Sequence, residues 1–505
     1  MSETTIAAIS TAYGEAGIGI VRMSGPDALG VLRKVFVPNG SGLKQTGENG
    51  LDGANATVDQ LQNSVDSAED AGTWVPQPRH MYYGRIVDPK DGSVVDECLA
   101  VYMPGPQSYT GEDVAEVQCH GSVISYKKIL ALMLENGAQP AEPGEFTKRA
   151  FLNGRMDLAQ AEAVIDLIKA RSARSFDCAV GQLEGMLSQK IRAVRAELLD
   201  LLTELAVNMD YPDEDIEELT YGRLGNRISL INDELIKLKE SSAEGRILRE
   251  GLLAAIVGKP NVGKSSLMNV LLREDRSIVT DVPGTTRDTI EEQISLRGIT
   301  IRFVDTAGIR SSADKVESIG IERSKDAFNR AELLLLVLDS SEGISAEDLE
   351  LMEMAKDRPA IVILNKDDLP AADVVIAADG VVRRAADGSL EDEVRRILPG
   401  ARIVKLSAKT GEGLLQLENS IEEYVTGGRV RREEDVLVTN VRHIALIDKA
   451  IEELSWAGRM TGAAEARDFI EVNVRAAFDA LGEITGETAS GEVIEEVFRR
   501  FCLGK

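Results

Sequence analysis

Four short signatures stand in fixed order between Gly258 and Lys409: GKPNVGKS (258–265), DTAG (305–308), NKDD (365–368) and SAK (407–409). Each follows or ends an apolar run, so together they predict an α/β phosphate-loop domain with its loops converging on one ligand. The first comes after the run 252–257 and opens a segment beginning Ser265-Ser266-Leu267-Met268, the strand-to-helix turn that such a loop requires. Gly258 and Gly263 let the backbone curl until successive N–H groups point at phosphates, and the following helix adds its positive end. Lys264 then reaches the β- and γ-phosphates. Ser265 offers a hydroxyl to Mg²⁺, a hard cation that keeps most of its waters. Asn261, Val262 and Ser266 complete the loop that surrounds the nucleotide.

The other three signatures name the ligand. Asp305 ends the run IRFVD (301–305) and faces the Mg²⁺ shell, while Thr306 and Ala307 lead to Gly308, whose amide meets the γ-phosphate. Asn365, Lys366 and Asp368 follow the run AIVIL. One carboxylate there accepts from both the ring N–H and the exocyclic amine of guanine, a pair of donors that adenine lacks, and such a site rejects the wrong base by about 10⁴-fold or more. Ser407, Ala408 and Lys409 follow RIVKL and close the base pocket.

Composition bounds the rest. The 505 residues allow about three domains. Four cysteines (Cys98, Cys119, Cys178, Cys502) without paired spacing argue against a disulfide framework or a zinc site and favour a reducing cytoplasm. The first twenty residues hold no Lys or Arg, unlike a targeting peptide, and the most apolar run, 333–338, is too short to span a bilayer. That run reads as a buried parallel strand. With a net charge of −27 the surface as a whole repels nucleic acid, so RNA contact has to be local or delegated; Arg429, Arg431 and Arg432 form the clearest basic cluster.

Proline is absent between Pro143 and Pro212, between Pro212 and Pro260, and after Pro399, which permits long helices. Leu183, Leu187, Ile191, Val194, Leu198, Leu201 and Leu205 recur at three- and four-residue steps, the seam of one long helix in a bundle. The pattern resumes after about Leu417, with Ile444, Ile447, Ile451 and Leu454. The phosphate-loop domain therefore reads as an insertion in a helical domain. Towards the N-terminus, 18–22 and 98–102 read as strands of a mixed α+β domain. Residues 38–73 are poor in large apolar groups and read as a surface insertion. GEAGIG (14–19) has the look of half a dinucleotide fingerprint, and a plain turn is the better reading.

The strings IVRMSG (20–25), PGPQSYTGEDVAE (104–116), PGEFTKRAFLNGRMDLAQAEAV (143–164), DVPGTTRD (281–288) and the terminal FCLGK (501–505) resemble the MnmE (TrmE) family of tRNA-modification GTPases over nearly the whole chain. The resemblance implies a multidomain protein: an N-terminal α+β tetrahydrofolate-binding and dimerisation domain (1–153), a discontinuous all-α helical domain (154–250 and 428–505) and an inserted Ras-like G domain (251–427). It implies a homodimer that works with the flavoprotein MnmG (GidA). Together they would add an aminomethyl or carboxymethylaminomethyl group to C5 of the wobble uridine, position 34, of certain tRNAs, which are held chiefly through the partner. A 5,10-methylene- or 5-formyl-tetrahydrofolate would supply the carbon. The positions matching the folate contacts are Arg22, Glu116, Arg155 and Lys505. A carboxylate suits the pterin edge and a cation the glutamate tail, although an ordinary Arg22–Glu116 ion pair at a strand end is the plain alternative. Position 155 is Arg where many relatives carry Lys, which keeps the charge and changes the contact geometry. Cys502 matches the terminal cysteine, a candidate nucleophile or redox centre.

Hydrolysis poses a separate question, because Ile309 stands where many small GTPases carry a water-orienting glutamine. By resemblance, Glu317 orients the water through a bridging one, and K⁺ replaces an arginine finger. The matching K⁺ ligands are the Asn261 side chain, the carbonyls of Thr280 and Val282, and Thr285; Thr286 joins Ser265 at Mg²⁺. Arg287 and Arg310 are rival fingers. Two other classes stay open: a ribosome-assembly GTPase, for which no basic RNA-binding appendage is visible, and a folate-binding protein with a vestigial G domain. The latter predicts damage at Lys264, Asp305 or Asp368, and all three are intact.

Overall fold

The computed structural model describes residues 4–39, 74–210, 220–274, 292–304, 328–370, 374–376, 382–384, 390–428 and 436–505. Packing divides the chain into two compact units, Met1–Ile165 with Thr485–Lys505, and Asp166–Ile484.

The first unit is α+β. Its sheet is formed by β1 (Ile6–Ile9), β2 (Ala16–Ser24), β3 (Phe36–Pro38), β4 (Tyr82–Val87), β5 (Val94–Met103), β6 (Val114–Gly121) and β7 (Gln139–Pro140), in the order β3-β4-β5-β6-β2-β1-β7. Every pairing is antiparallel except the short edge pair β1–β7. Alternation along β2 and β6 sends Val21, Met23, Ala115, Val117 and Cys119 into a core shared with helices Ala28–Val35 and Val123–Glu135. The intervening positions, Arg22 and Glu116 among them, belong to the opposite face. The GEAGIG segment runs from a turn into β2 at Ala16, and no helix follows it directly.

Thr485–Lys505 packs with this unit. Its docking depends on apolar packing and two close backbone approaches. Phe498, on helix Gly491–Arg499, lies 6.1 Å from Phe151 and 5.2 Å from Phe501 between ring centroids. Gly144 has φ 72° and Gly504 φ 87°. A Cβ on Gly504 would collide with the Ile9 carbonyl, and one on Gly144 would crowd the Phe498 carbonyl, so only glycine seats the tail.

The second unit holds a six-stranded sheet of β8 (Leu252–Val257), β9 (Glu292–Leu296), β10 (Ile299–Phe303), β11 (Leu333–Asp339), β12 (Ala360–Asn365) and β15 (Arg402–Lys405), ordered β15-β12-β11-β8-β10-β9. β13 (Val374–Ile376) and β14 (Val382–Arg384) pair antiparallel in a separate two-stranded sheet. All pairs of the large sheet are parallel except β9–β10. β11 is buried along its whole length, as a central parallel strand covered on both faces must be.

The helical seam differs from the sequence reading at both ends. Leu187, Ile191, Val194, Leu198, Leu201 and Leu205 are buried along helix Met186–Asp210. Leu183 instead ends the preceding helix, Ala173–Leu183, because Gly185 at φ 87° breaks the chain between them. Leu417 lies on helix Leu414–Thr426, whose Leu414, Leu417, Ile421 and Val425 pack into the core of the phosphate-loop sheet. The bundle resumes only at helix Val441–Gly462, where Ile447 and Leu454 are buried and which packs along helix Tyr221–Glu240.

A buried ionic network ties the first unit together. Arg149 Nη1 donates to Glu112 Oε2 at 3.0 Å and to the Thr4 carbonyl at 2.7 Å, and Nη2 donates to Glu145 Oε1 at 2.8 Å. Ser24 Oγ adds a bond to Glu112 Oε2 at 2.8 Å. Arg149→Ala strands the Glu112 carboxylate out of water, so unfolding of this unit becomes easier by about 3–5 kcal/mol. Urea denaturation followed through Trp74, in a Trp456→Phe background, reads the shift, and an unmoved midpoint contradicts it.

Candidate functional site

The phosphate loop leaves β8 at Gly258, whose φ of 156° lets it press against the Val337 carbonyl where a Cβ would collide. Two further left-handed residues follow, Asn261 at φ 64° and Gly263 at φ 100°. Asn tolerates this region better than most side chains. Lys264 opens helix Lys264–Glu274 and folds back on the loop, its Nζ donating to the carbonyls of Gly258 at 2.6 Å and Lys259 at 2.7 Å. Burial pushes its ammonium below the usual lysine range, so an incoming anion finds a poorly hydrated cation. Ser265 and Ser266 are exposed in the first turn and contribute hard oxygen donors. Lys259 anchors the loop from below, 3.1 Å from Glu342 Oε2 and 3.3 Å from Asp348 Oδ2.

The base loops are joined to this loop by one side chain. Asn365, at the end of β12, is 2% exposed. Its Nδ2 donates to the Val262 carbonyl at 2.7 Å, and its Oδ1 accepts from the Ala408 amide at 3.0 Å. Ser407 Oγ donates to Asp368 Oδ1 at 2.8 Å, which fixes an exposed carboxylate beside the buried Ser407-Ala408 turn. Lys366 has φ 65°, and its Nζ lies 2.5 Å from Asp339 Oδ2. Lys409 is exposed at the end of the turn. Asn261, Val262, Gly263, Lys264, Ser265, Ser266, Asn365, Lys366, Asp368, Ser407, Ala408 and Lys409 thus all lie on the loops that these contacts link. Thr280, Val282, Thr285, Thr286, Asp305, Thr306, Ala307, Gly308 and Glu317, with the rival Arg287 and Arg310, lie outside the described residues, as does the basic cluster at 429–432.

A second cluster forms in the first unit. Arg22 and Glu116 are direct partners across β2 and β6, with Arg22 Nε 2.7 Å from Glu116 Oε1. The Arg22 guanidinium stands over the rings of Tyr109 at 5.3 Å and Phe146 at 5.7 Å, and the Arg155 guanidinium over Tyr109 at 5.2 Å. Lys505 is partly buried, and burial followed by the nearby Arg22 charge lowers its ammonium pKa, with Glu116 opposing. Arg22, Glu116, Arg155 and Lys505 are therefore neighbours, although the first and last are nearly a whole chain apart. Cys502 is exposed, and its carbonyl accepts from the Gly144 amide at 3.3 Å. Sequence reasoning passed over Tyr109 and Phe146, which sit in the strings around 109 and 146; nothing in a single aromatic marks it as the floor of a charged cluster.

Two family models match the chain. The MnmE helical domain covers residues 158–502, and the GTP-binding protein TrmE N-terminus covers residues 5–155. The tRNA modification GTPase MnmE of Alkaliphilus metalliredigens is 44% identical over 504 residues, spanning 100% of this chain and 99% of that protein. The protein of the same name from Clostridioides difficile is 42% identical over 504 residues, with the same coverage of both chains. Among solved structures, the G domain of the T. maritima FeoB iron transporter is similar at 27% identity and a TM-score of 0.23, covering 34% of this chain and 98% of that one.

No described helix is long and apolar enough to cross a membrane. The loop geometry makes a specific demand on Gly263, because a Cβ there would collide with the Asn365 carboxamide nitrogen. Gly263→Ala should weaken binding of a fluorescent guanine nucleotide on the order of tenfold or more. Wild-type affinity in an equilibrium titration would contradict this account of the loop.

Proposed function

Because the chain belongs to the MnmE family of tRNA-modification GTPases, we propose that it hydrolyses GTP to GDP and phosphate in the service of a one-carbon modification at C5 of the wobble uridine of certain tRNAs. The observation that carries the nucleotide half is the Asn365 carboxamide, which spans from the phosphate loop at Val262 to the base loop at Ala408. Guanine would donate its ring N–H and amine to Asp368, whose carboxylate is oriented by Ser407. Lys264 would exchange its two loop carbonyls for phosphate oxygens. The attacking water forms the new bond to the γ-phosphorus while the bond to the bridging oxygen breaks, leaving GDP.

Two cations fit the donors on this loop. Ser265, with Thr286, would hold Mg²⁺, which neutralises phosphate charge when bound. Asn261, exposed at its positive φ, would offer its carboxamide oxygen to K⁺ together with Thr280, Val282 and Thr285, and the ion would supply a positive charge in place of an arginine finger. Glu317 would orient the water, since Ile309 cannot.

The cluster at Tyr109 supports the folate half. A tetrahydrofolate derivative has a flat pyrimidinone with a donor–acceptor edge, an aminobenzoyl ring and an anionic tail, and it would supply the carbon when bound. Glu116, oriented by Arg22, would meet the edge, the Tyr109 and Phe146 rings would border the apolar face, and Arg155 and Lys505 would offer cations to the tail. The exposed Cys502 thiol lies on the same tail as Lys505 and is a candidate participant. A homodimer working with the flavoprotein MnmG in the cytoplasm completes the proposal. Delegating most tRNA contact to that partner agrees with the net charge of −27.

Phosphate release measured in K⁺ and in Na⁺ at equal ionic strength, with ATP as the control nucleotide, tests the reaction. The expected result is GTP turnover that rises severalfold in K⁺ while ATP is spared. Equal rates in the two salts would remove the cation-assisted mechanism, and equal use of ATP would remove the guanine pocket.

A further inference from the structure

We propose that Asp339, Ser340 and Ser341, which lie in none of the four signatures, form a bracket that positions Asn365 and Lys366 and thereby sets the affinity for the guanine base. The inference rests on the guanine-pocket reading above and extends it to residues on a neighbouring strand.

The bracket begins where β11 ends. Asp339 stands directly opposite Asn365 in the parallel pairing of β11 with β12, so both strands deliver their last residue to the same edge of the sheet. Ser340 then grips the backbone of the base strand twice: its amide donates to the Asn365 carbonyl at 3.0 Å and its Oγ donates to the same oxygen at 2.7 Å. Asp339 is 1% exposed. Its Oδ1 accepts from the Ser341 amide at 2.9 Å and from Ser341 Oγ at 2.6 Å, which turns Oδ2 toward Lys366 Nζ at 2.5 Å. Those contacts hold the carboxyl below the usual carboxylate range against the cost of its burial.

The bracket has to overcome a real bias. Lys366 sits at φ 65°, a conformation that residues with a Cβ adopt rarely and keep only where neighbours over-determine it. The grip on the Asn365 carbonyl immediately before it, and the ion pair beyond it, supply that restraint. With its ammonium tied down at Asp339, Lys366 presents its four-carbon stem as an apolar shelf beside the pocket, where a flat base can lie. An unrestrained lysine would be free to turn its charge into the pocket instead. Asn365 depends on the bracket as well, because its carboxamide spans two loops only while its backbone is fixed.

A plain alternative is that Asp339–Lys366 is a buried ion pair that merely stabilises the sheet edge. The two differ in what they move. A structural pair would lower the melting temperature and leave base affinity alone in the molecules that stay folded. A positioning pair acts on affinity through Lys366. The full-length chain is therefore compared as wild type, Asp339→Asn, Ser340→Ala, Lys366→Met and the double variant Asp339→Asn/Lys366→Met. The readouts are equilibrium binding of fluorescent GDP and the KM and kcat of GTP hydrolysis. Asp339→Asn should weaken GDP binding about tenfold and Ser340→Ala about threefold, with the rise in KM exceeding the fall in kcat by about fivefold or more. The double variant should be no weaker than Lys366→Met alone. If Asp339→Asn does not fold, Ser340→Ala carries the test. GDP affinities within twofold of wild type in the folded variants, or penalties that add independently in the double variant, would overturn the bracket. Wild type that binds ADP as well as GDP would overturn the guanine-pocket reading itself, a separate outcome.

Discussion

The Asn365 carboxamide is the contact on which the nucleotide site depends. Nearly excluded from water, it gives its two hydrogens' end to the phosphate loop at Val262 and its oxygen to the base loop at Ala408. A buried amide with both ends engaged is a rigid spacer, and a half-satisfied one would cost more than no amide at all. Its presence also explains constraints on either side. Gly263 has to lack a Cβ because Asn365 occupies that space, and Ala408 has to present its amide toward the sheet. The parallel sheet delivers the partners: β8 ends at the phosphate loop, β12 at Asn365, and β11 between them at Asp339.

The first unit solves a different problem with different physics. Its cluster places Arg22, Glu116, Arg155 and Lys505 about aromatic rings, an arrangement suited to a flat, partly polar and anionic ligand. Lys505 comes from the far end of the chain and reaches the sheet because Phe498 and Phe501 pack and because Gly144 and Gly504 permit close backbone contact. In the same unit, the Arg149 network holds Glu112, Glu145 and Ser24 together. The nucleotide loops and the charged aromatic cluster thus involve separate sets of residues, each with its own supporting contacts.

The nucleotide loops were legible in the sequence because phosphate and guanine recognition need particular residues at fixed short spacings, and those spacings survive as strings. The run 333–338 was legible as a strand because burial on both faces leaves an unbroken apolar stretch. Periodicity alone erred where the backbone, rather than the side chains, decides: Gly185 splits the helical seam after Leu183 through a positive φ that no hydrophobic pattern records. Leu417 falls inside the 251–427 span read as the phosphate-loop domain, and it packs into the core of that sheet. Packing of 485–505 with the N-terminal sheet leaves no local trace, because its contacts join residues hundreds apart, and only the resemblance grouped Lys505 with Arg22 and Glu116. Asp339 and Tyr109 were missed because a single acid at a strand end, or a lone tyrosine in a loop, becomes informative only once its neighbours are known.

The central claim is that guanine-nucleotide hydrolysis in this chain serves chemistry on tRNA. Mass spectrometry of the nucleosides of bulk tRNA, from cells lacking the gene and from the same cells carrying either the wild-type chain or Lys264→Ala, tests it most directly. The account predicts that C5-substituted wobble uridines disappear on deletion, return with the wild type and fail to return with Lys264→Ala. Unchanged C5-substituted uridines in the deletion strain would contradict it.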